Sequence, residues 1–141
     1  MNNLQQDISK KNTVNSIQKN KKILIIDDEI DDLEAMDEIL TIAGHSIIKC
    51  NDSTDALEMI SKQNIDLILM DLMLPTLSGT DLLKILREKI GQQIPIILVS
   101  IKPKKEVDMA DIDGFVQKPF SPSSLIDEVN IALTKYDKKD W

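Results

Sequence analysis

Five short aliphatic runs, each followed by a segment of different periodicity, constrain this chain more than any other feature. They are KILII (22–26), SIIKC (46–50), DLILM (66–70), PIILVS (95–100) and GFVQ (114–117). Short apolar runs rich in Ile and Leu and bounded by turn signals fit strands buried on both faces of a parallel sheet. Between them the apolar residues recur at helical spacing. Leu33, Met36, Leu40 and Ala43 mark a first helix that Gly44 closes as a C-cap, and Ala56, Leu57 and Ile60 lie on one face of a second, from about Ser53 to Lys62. Ser78 or Thr80 opens a third, which carries Leu82, Leu83, Ile85 and Leu86 before Gly91. Ser121 and Pro122 read as the N-cap and first-turn proline of a last helix containing Leu125, Ile126, Val129, Ala132 and Leu133. Strands alternating with helices predict right-handed crossovers and an α/β fold, a doubly wound five-stranded parallel sheet with helices on both faces.

The 141 residues suffice for one domain with a real core and are too few for two. Residues 1–20 are rich in Asn, Gln, Lys and Ser and read as a disordered tail, leaving a domain at 21–137 and a short C-terminal tail at 138–141. Trp141, after YDKKD, is expected to be exposed. A net charge of −7 argues against an electrostatic grip on nucleic acid. The single cysteine, Cys50, excludes an internal disulfide and a cysteine metal cluster. No window approaches the roughly 20 apolar residues of a membrane span, and the N-terminus lacks a signal-peptide core, so a cytoplasmic protein is expected.

In open parallel sheets, active groups gather beyond the carboxyl ends of the strands. The residues that follow the apolar runs here are Asp27 and Asp28 after the first, Asp71 after the third, Ser100 at the end of the fourth and Lys118 after the fifth. Taken singly, each has a plain explanation: Asp27 and Asp28, like Glu29, Asp31 and Asp32, favour the positive end of the next helix, and Ser100 and Lys118 suit turns. Together they would place three carboxylates, a hydroxyl and an ammonium on one rim. Three carboxylates drawn together repel, and a hard divalent cation relieves that, with Mg²⁺ the best match to an oxygen donor set. His45, in a helix-to-strand turn, is read as a turn residue.

Over about residues 21–136 the sequence resembles the receiver domains of two-component response regulators. The motifs that carry the resemblance are ILIIDDE, LILMDLMLPTLSG, IPIILVS and GFVQKPF, in that order and spacing. The resemblance implies a flavodoxin-like strand order 2-1-3-4-5. It implies that Asp71 is the phosphoacceptor, attacking a phosphohistidine of a histidine kinase or a histidine phosphotransfer protein to form an aspartyl phosphate. Asp28 would bind Mg²⁺ directly, Asp27 through a water, Asp71 through its carboxylate and Met73 through its backbone carbonyl, while Lys118 would neutralise phosphoryl oxygens. Ser100 would be the switch hydroxyl and Phe115 the switch aromatic that moves inward, by packing alone because it lacks a tyrosine hydroxyl. Met73 and Lys102 would tune the lifetime of the aspartyl phosphate. Pro75 and Gly79 would shape the loop into the third helix.

Two departures stand out. SIKPKKEVDMADIDGFVQK is about one helical turn shorter than receiver spacing, and Pro103 restricts Lys102, so the fourth helix starts near Lys104 and is short or degraded. Ile101 replaces the small residue common after the switch hydroxyl, which would narrow access to Asp71. The expected function is a stand-alone receiver that switches partner binding or relays its phosphoryl group. It would bind an unidentified downstream protein, and be no enzyme beyond its own phosphorylation and dephosphorylation. The alternative is a phosphorylation-independent interaction module of the same fold. A phosphatase of the haloacid-dehalogenase type is disfavoured because Met73 stands where that class carries a second aspartate.

Overall fold

A computed structural model of the chain describes residues 17–74 and 77–139. In chain order the elements are β1 (Lys22–Ile26), α1 (Ile30–Ile42), β2 (Ser46–Cys50), α2 (Ser53–Lys62), β3 (Leu67–Met70), α3 (Gly79–Ile90), β4 (Ile96–Ser100), a 3₁₀ turn (Lys104–Glu106), β5 (Gly114–Gln117) and α4 (Pro122–Lys139). The strands form one sheet in the order β2-β1-β3-β4-β5, every pair parallel, as expected from the sequence.

Alternate side chains of a strand point to opposite faces, so each apolar run feeds two cores. Ile23, Ile25, Leu67, Leu69, Ile97 and Val99 pack with Leu33, Met36 and Leu40 of α1 and Leu125 and Val129 of α4. Leu24, Ile26, Ile68, Met70, Ile96, Leu98 and Phe115 pack on the other face with Ala56 of α2 and Leu82, Leu83 and Leu86 of α3. Full burial of such aliphatic side chains contributes about 1.5–3 kcal/mol each, which makes the sheet a rigid base for whatever its rim carries.

The helix ends follow the local chemistry. At the end of α1, Gly44 takes φ +100°, its N–H donates to Thr41 O (3.0 Å), and the His45 N–H donates to Leu40 O (3.1 Å). This is the paired closure that a left-handed glycine permits. Ser78 caps α3 by accepting from the Asp81 N–H at 3.2 Å. Ser121 Oγ accepts from the Ser124 N–H (3.1 Å) while Ser124 Oγ accepts from the Ser121 N–H (3.2 Å), a reciprocal cap on α4.

The crossover from β4 to β5 carries a single 3₁₀ turn in place of a helix, so the expected shortening is borne out at its extreme. Val107, Met109 and Ile112 still pack over the sheet face beside Phe115. Arg87 of α3 ties the segment down: its guanidinium donates to Asp111 O (3.0 and 2.9 Å), Gly91 O (3.0 Å) and Ile94 O (2.9 Å), and pairs with Asp113 Oδ2 at 2.7 Å. Asp113 Oδ2 also accepts from the Ile96 N–H at 2.8 Å, which joins the clamp to the start of β4.

Residues 1–16, most of the expected N-terminal tail, lie outside the described residues, as do Trp141 and Pro75. Before β1, the Gln18 N–H donates to Asn130 Oδ1 of α4 (3.1 Å) and the Asn20 N–H to Gly44 O (2.8 Å). At the other end α4 continues to Lys139, into the segment expected to be a tail.

Candidate functional site

Because all five strands run parallel, their carboxyl ends share one edge, and the residues singled out from the sequence meet there. Asp27 follows β1 fully buried, and its Oδ1 accepts the Glu29 N–H at 2.9 Å. Asp71 follows β3, also buried, and its Oδ1 accepts the Met73 N–H at 3.0 Å. Each carboxylate is thus held by a backbone N–H two residues on, which leaves its second oxygen for the site. Lys118, buried after β5, donates to Asp71 Oδ2 at 2.8 Å and to Asp27 Oδ2 at 2.9 Å.

Electrostatics follow from this packing. Burial pushes the Asp27 carboxyl above its ordinary value, opposed by the bonds from Lys118 and the Glu29 N–H. For Lys118, burial favours the neutral amine, but the carboxylates of Asp71, Asp27 and Asp32 prevail and hold it above the ordinary lysine range. The ammonium is therefore a fixed cation at neutral pH.

Asp28 is exposed at the mouth. Asp27, Asp28 and Asp71 each offer a carboxylate oxygen, all within 4.8 Å of one another. Three hard oxygen donors, two of them buried, fit Mg²⁺ far better than a soft metal. Met73 is 58% exposed, so its side chain stands clear of the cluster.

Ser100 is buried at the end of β4, and its Oγ accepts the Lys102 N–H at 3.0 Å. Its own hydroxyl hydrogen has no acceptor among the described residues, an unused donor on the site's rim. Ser100 O accepts the Lys118 N–H at 2.8 Å, so the hydroxyl and the ammonium are joined through one backbone bond. Phe115 is already packed inward, 8% exposed, on the α2 and α3 face. Ile101 is 63% exposed.

Gly79 opens α3 with no room for a side chain. A β-carbon there would lie 2.4 Å from Leu72 Cα and 2.7 Å from the carbonyl oxygens of Asp71 and Leu72. The helix start is pressed directly against the backbone that carries Asp71.

One participant was not singled out from the sequence. Asp32, in the first turn of α1, pairs with Lys118 Nζ at 2.9 Å. Nothing local separates it from Glu29 and Asp31, and only the fold brings a lysine 86 positions later within reach. Two other reactive residues lie apart from this chemistry. His45 is buried before β2, at the opposite edge, where its Nδ1 accepts the Lys21 N–H at 3.3 Å and burial holds the ring neutral. Burial, with Asp55 and Asp52 nearby, pushes the Cys50 thiol up to about 11.

A family model described as the response regulator receiver domain matches residues 23–130. Among similar curated proteins, the regulatory protein VanR of Enterococcus faecium is 35% identical over 122 residues, covering 83% of this chain and 52% of VanR. The uncharacterized transcriptional regulatory protein YcbL of Bacillus subtilis is 33% identical over 117 residues, covering 79% of this chain and 50% of YcbL. The chain therefore spans about half the length of these curated relatives. Among solved structures, a CheY-like receiver domain protein from Methanospirillum hungatei superposes with a TM-score of 0.79 at 26% identity, over 86% of this chain and 99% of that one. The response regulator TrrA of Thermotoga maritima, solved in complex with Mg²⁺ and BeF, gives 0.73 at 28% identity, over 80% and 99%.

Proposed function

Because this chain belongs to the response regulator receiver domain family of two-component systems, we propose that it signals by accepting a phosphoryl group on Asp71. The observation that carries the reading is the buried Lys118 ammonium, 2.8 Å from Asp71 and 2.9 Å from Asp27, beside three converging carboxylates.

An Asp71 oxygen attacks the phosphorus of a phosphohistidine on a histidine kinase or a histidine phosphotransfer protein. The O–P bond forms as the P–N bond breaks and the electron pair stays on the ring nitrogen; the donor ring, protonated beforehand on its other nitrogen, leaves as neutral imidazole. Lys118 meets the charge that grows on the phosphoryl oxygens, and Ser100 supplies the unused hydroxyl donor. Asp27, Asp28 and Asp71, with the Met73 carbonyl, would hold Mg²⁺, which neutralises phosphoryl charge when bound. Phe115, on β5 and separated by β4 from the strand that leads to Asp71, would report the change to the surface.

The output is a protein contact or onward transfer of the phosphoryl group. The net charge of −7 supports a protein partner for this domain over direct nucleic-acid binding, and a single buried cysteine suits the cytoplasm. Among the described residues no helix is long and apolar enough to cross a membrane.

The test is intact-protein mass after incubation with phosphoramidate, with and without Mg²⁺, on the native chain and Asp71→Asn. A Mg²⁺-dependent, acid-stable, base-labile adduct confined to the native chain is expected. No adduct on the native chain would refute the reading in favour of a phosphorylation-independent interaction module, to which the inward Phe115 and the minimal fourth crossover lend support.

A further inference from the structure

The Lys118 ammonium faces three carboxylates: it donates to Asp71 Oδ2 at 2.8 Å and Asp27 Oδ2 at 2.9 Å, and forms an ion pair with Asp32 Oδ2 at 2.9 Å. The first two acceptors belong to the cation cluster and the third does not. Asp32 also differs in setting, its side chain being 37% exposed against 0% for Asp27 and 9% for Asp71. We propose that Asp32 is a positioning residue that restrains phosphorylation: it draws the Lys118 ammonium toward α1 and adds a negative charge at the solvent side of the site. The inference rests on the reading of Asp71 as phosphoacceptor.

Two effects act in the same direction. A phosphoryl group on Asp71 needs a Lys118 hydrogen for its own oxygens and must compete with Asp32 for the ammonium's position. The carboxylate also repels the anionic phosphoryl donor on approach and the bound group afterwards. Toward a divalent cation the sign reverses, since the same charge attracts it. Asp32 therefore favours Mg²⁺ and opposes the phosphoryl group. A residue whose only role were to stabilise the fold would move both affinities the same way.

Asp32→Asn keeps the side-chain shape and removes the charge. Calorimetric titration with Mg²⁺ alone should show affinity weakened by roughly twofold to fivefold, the range for a partly exposed charge acting at short reach. At saturating Mg²⁺, the rate of adduct formation from phosphoramidate and the affinity for beryllium fluoride should both rise by a similar factor. Asp32→Glu should return both towards native values, and about 0.5 M salt should shrink the differences. Changes of the same sign in the two arms, or none in either, overturn the inference. An adduct on the native chain that forms equally fast on Asp32→Asn refutes the inference alone, whereas no adduct on either refutes the Asp71 reading with it.

Discussion

Gly79→Ala is a one-carbon change with a large expected effect. The new β-carbon would lie 2.4 Å from Leu72 Cα and 2.7 Å from the Asp71 and Leu72 carbonyl oxygens, where a normal contact needs about 3.4 Å or more. All three obstacles are backbone atoms, so no rotamer change relieves them. The start of α3 and the loop after β3 must part by about 1 Å, against the 2.8 Å bond from the Gly79 N–H to Leu72 O. Overpacking of this kind costs about 1–3 kcal/mol, and the better helix propensity of alanine returns less than about 1 kcal/mol. A net loss near 2 kcal/mol lowers Tm by roughly 8 °C for a domain of this size. Gly91→Ala is the control. Gly91 has φ +58° and ψ −134°, a region nearly reserved for glycine, with no atom within 4 Å of a β-carbon, so Gly91→Ala should cost only local backbone strain of about 1–3 kcal/mol. The two variants should differ in function. Only Gly79→Ala moves the backbone of Asp71, and a misplacement approaching 1 Å slows phosphorylation on the order of tenfold to a hundredfold. Urea unfolding and the rate of adduct formation from phosphoramidate measure the two consequences. If Gly79→Ala unfolds within about 0.5 kcal/mol of native and is phosphorylated at the native rate, the close approach does not set the position of Asp71.

Three further outcomes are expected. Burial raises the Asp27 pKa above 3.8 in the folded state, so its contribution to stability is full below 3.8 and is lost as pH rises through the folded value; Asp27→Asn in EDTA should stabilise the protein at pH 7, a gain that fades toward pH 3.5 in pH-resolved urea titrations. Lys118→Met leaves Asp27 and Asp71 facing each other without their cation, and should cost about 3–5 kcal/mol at neutral pH, less in acid, and abolish adduct formation. Arg87→Met removes the clamp on the β4 to β5 crossover, at a cost of about 2–3 kcal/mol, with faster hydrogen exchange confined to the crossover and a native phosphorylation rate.

The three central strands were legible because they are buried on both faces, which removes the polar alternation that would have blurred runs such as ILII and LILM. Asp27, Asp71, Ser100 and Lys118 could be placed on one rim for a related reason: each directly ends or follows such a run, and parallel winding sends every run to the same edge. Asp32 and Arg87 were hidden by the same logic. Asp32 sits in a helix start already full of acids, and Arg87 reads as a solvent-facing cation in the last turn of α3. What each does depends on partners distant in sequence, Lys118 for the one and the Asp111 carbonyl for the other. No periodicity encodes such a meeting. The length of the crossover was readable, but the means by which a chain holds the edge of its sheet without a helix was not.

That crossover sets the tolerance of the fold to length. At one end the Lys102 N–H is bonded to Ser100 Oγ, at the other Asp111 and Asp113 are fixed by Arg87, and residues 101–106 between them are all exposed. With both anchors independent of the intervening chain, loop-closure entropy rises only with the logarithm of added length, about 0.6 kcal/mol per doubling. Residues 103–106 are therefore a graft site: a binding peptide or a reporter helix inserted there hangs from two fixed posts, close to the rim that carries Asp71 and outside the core.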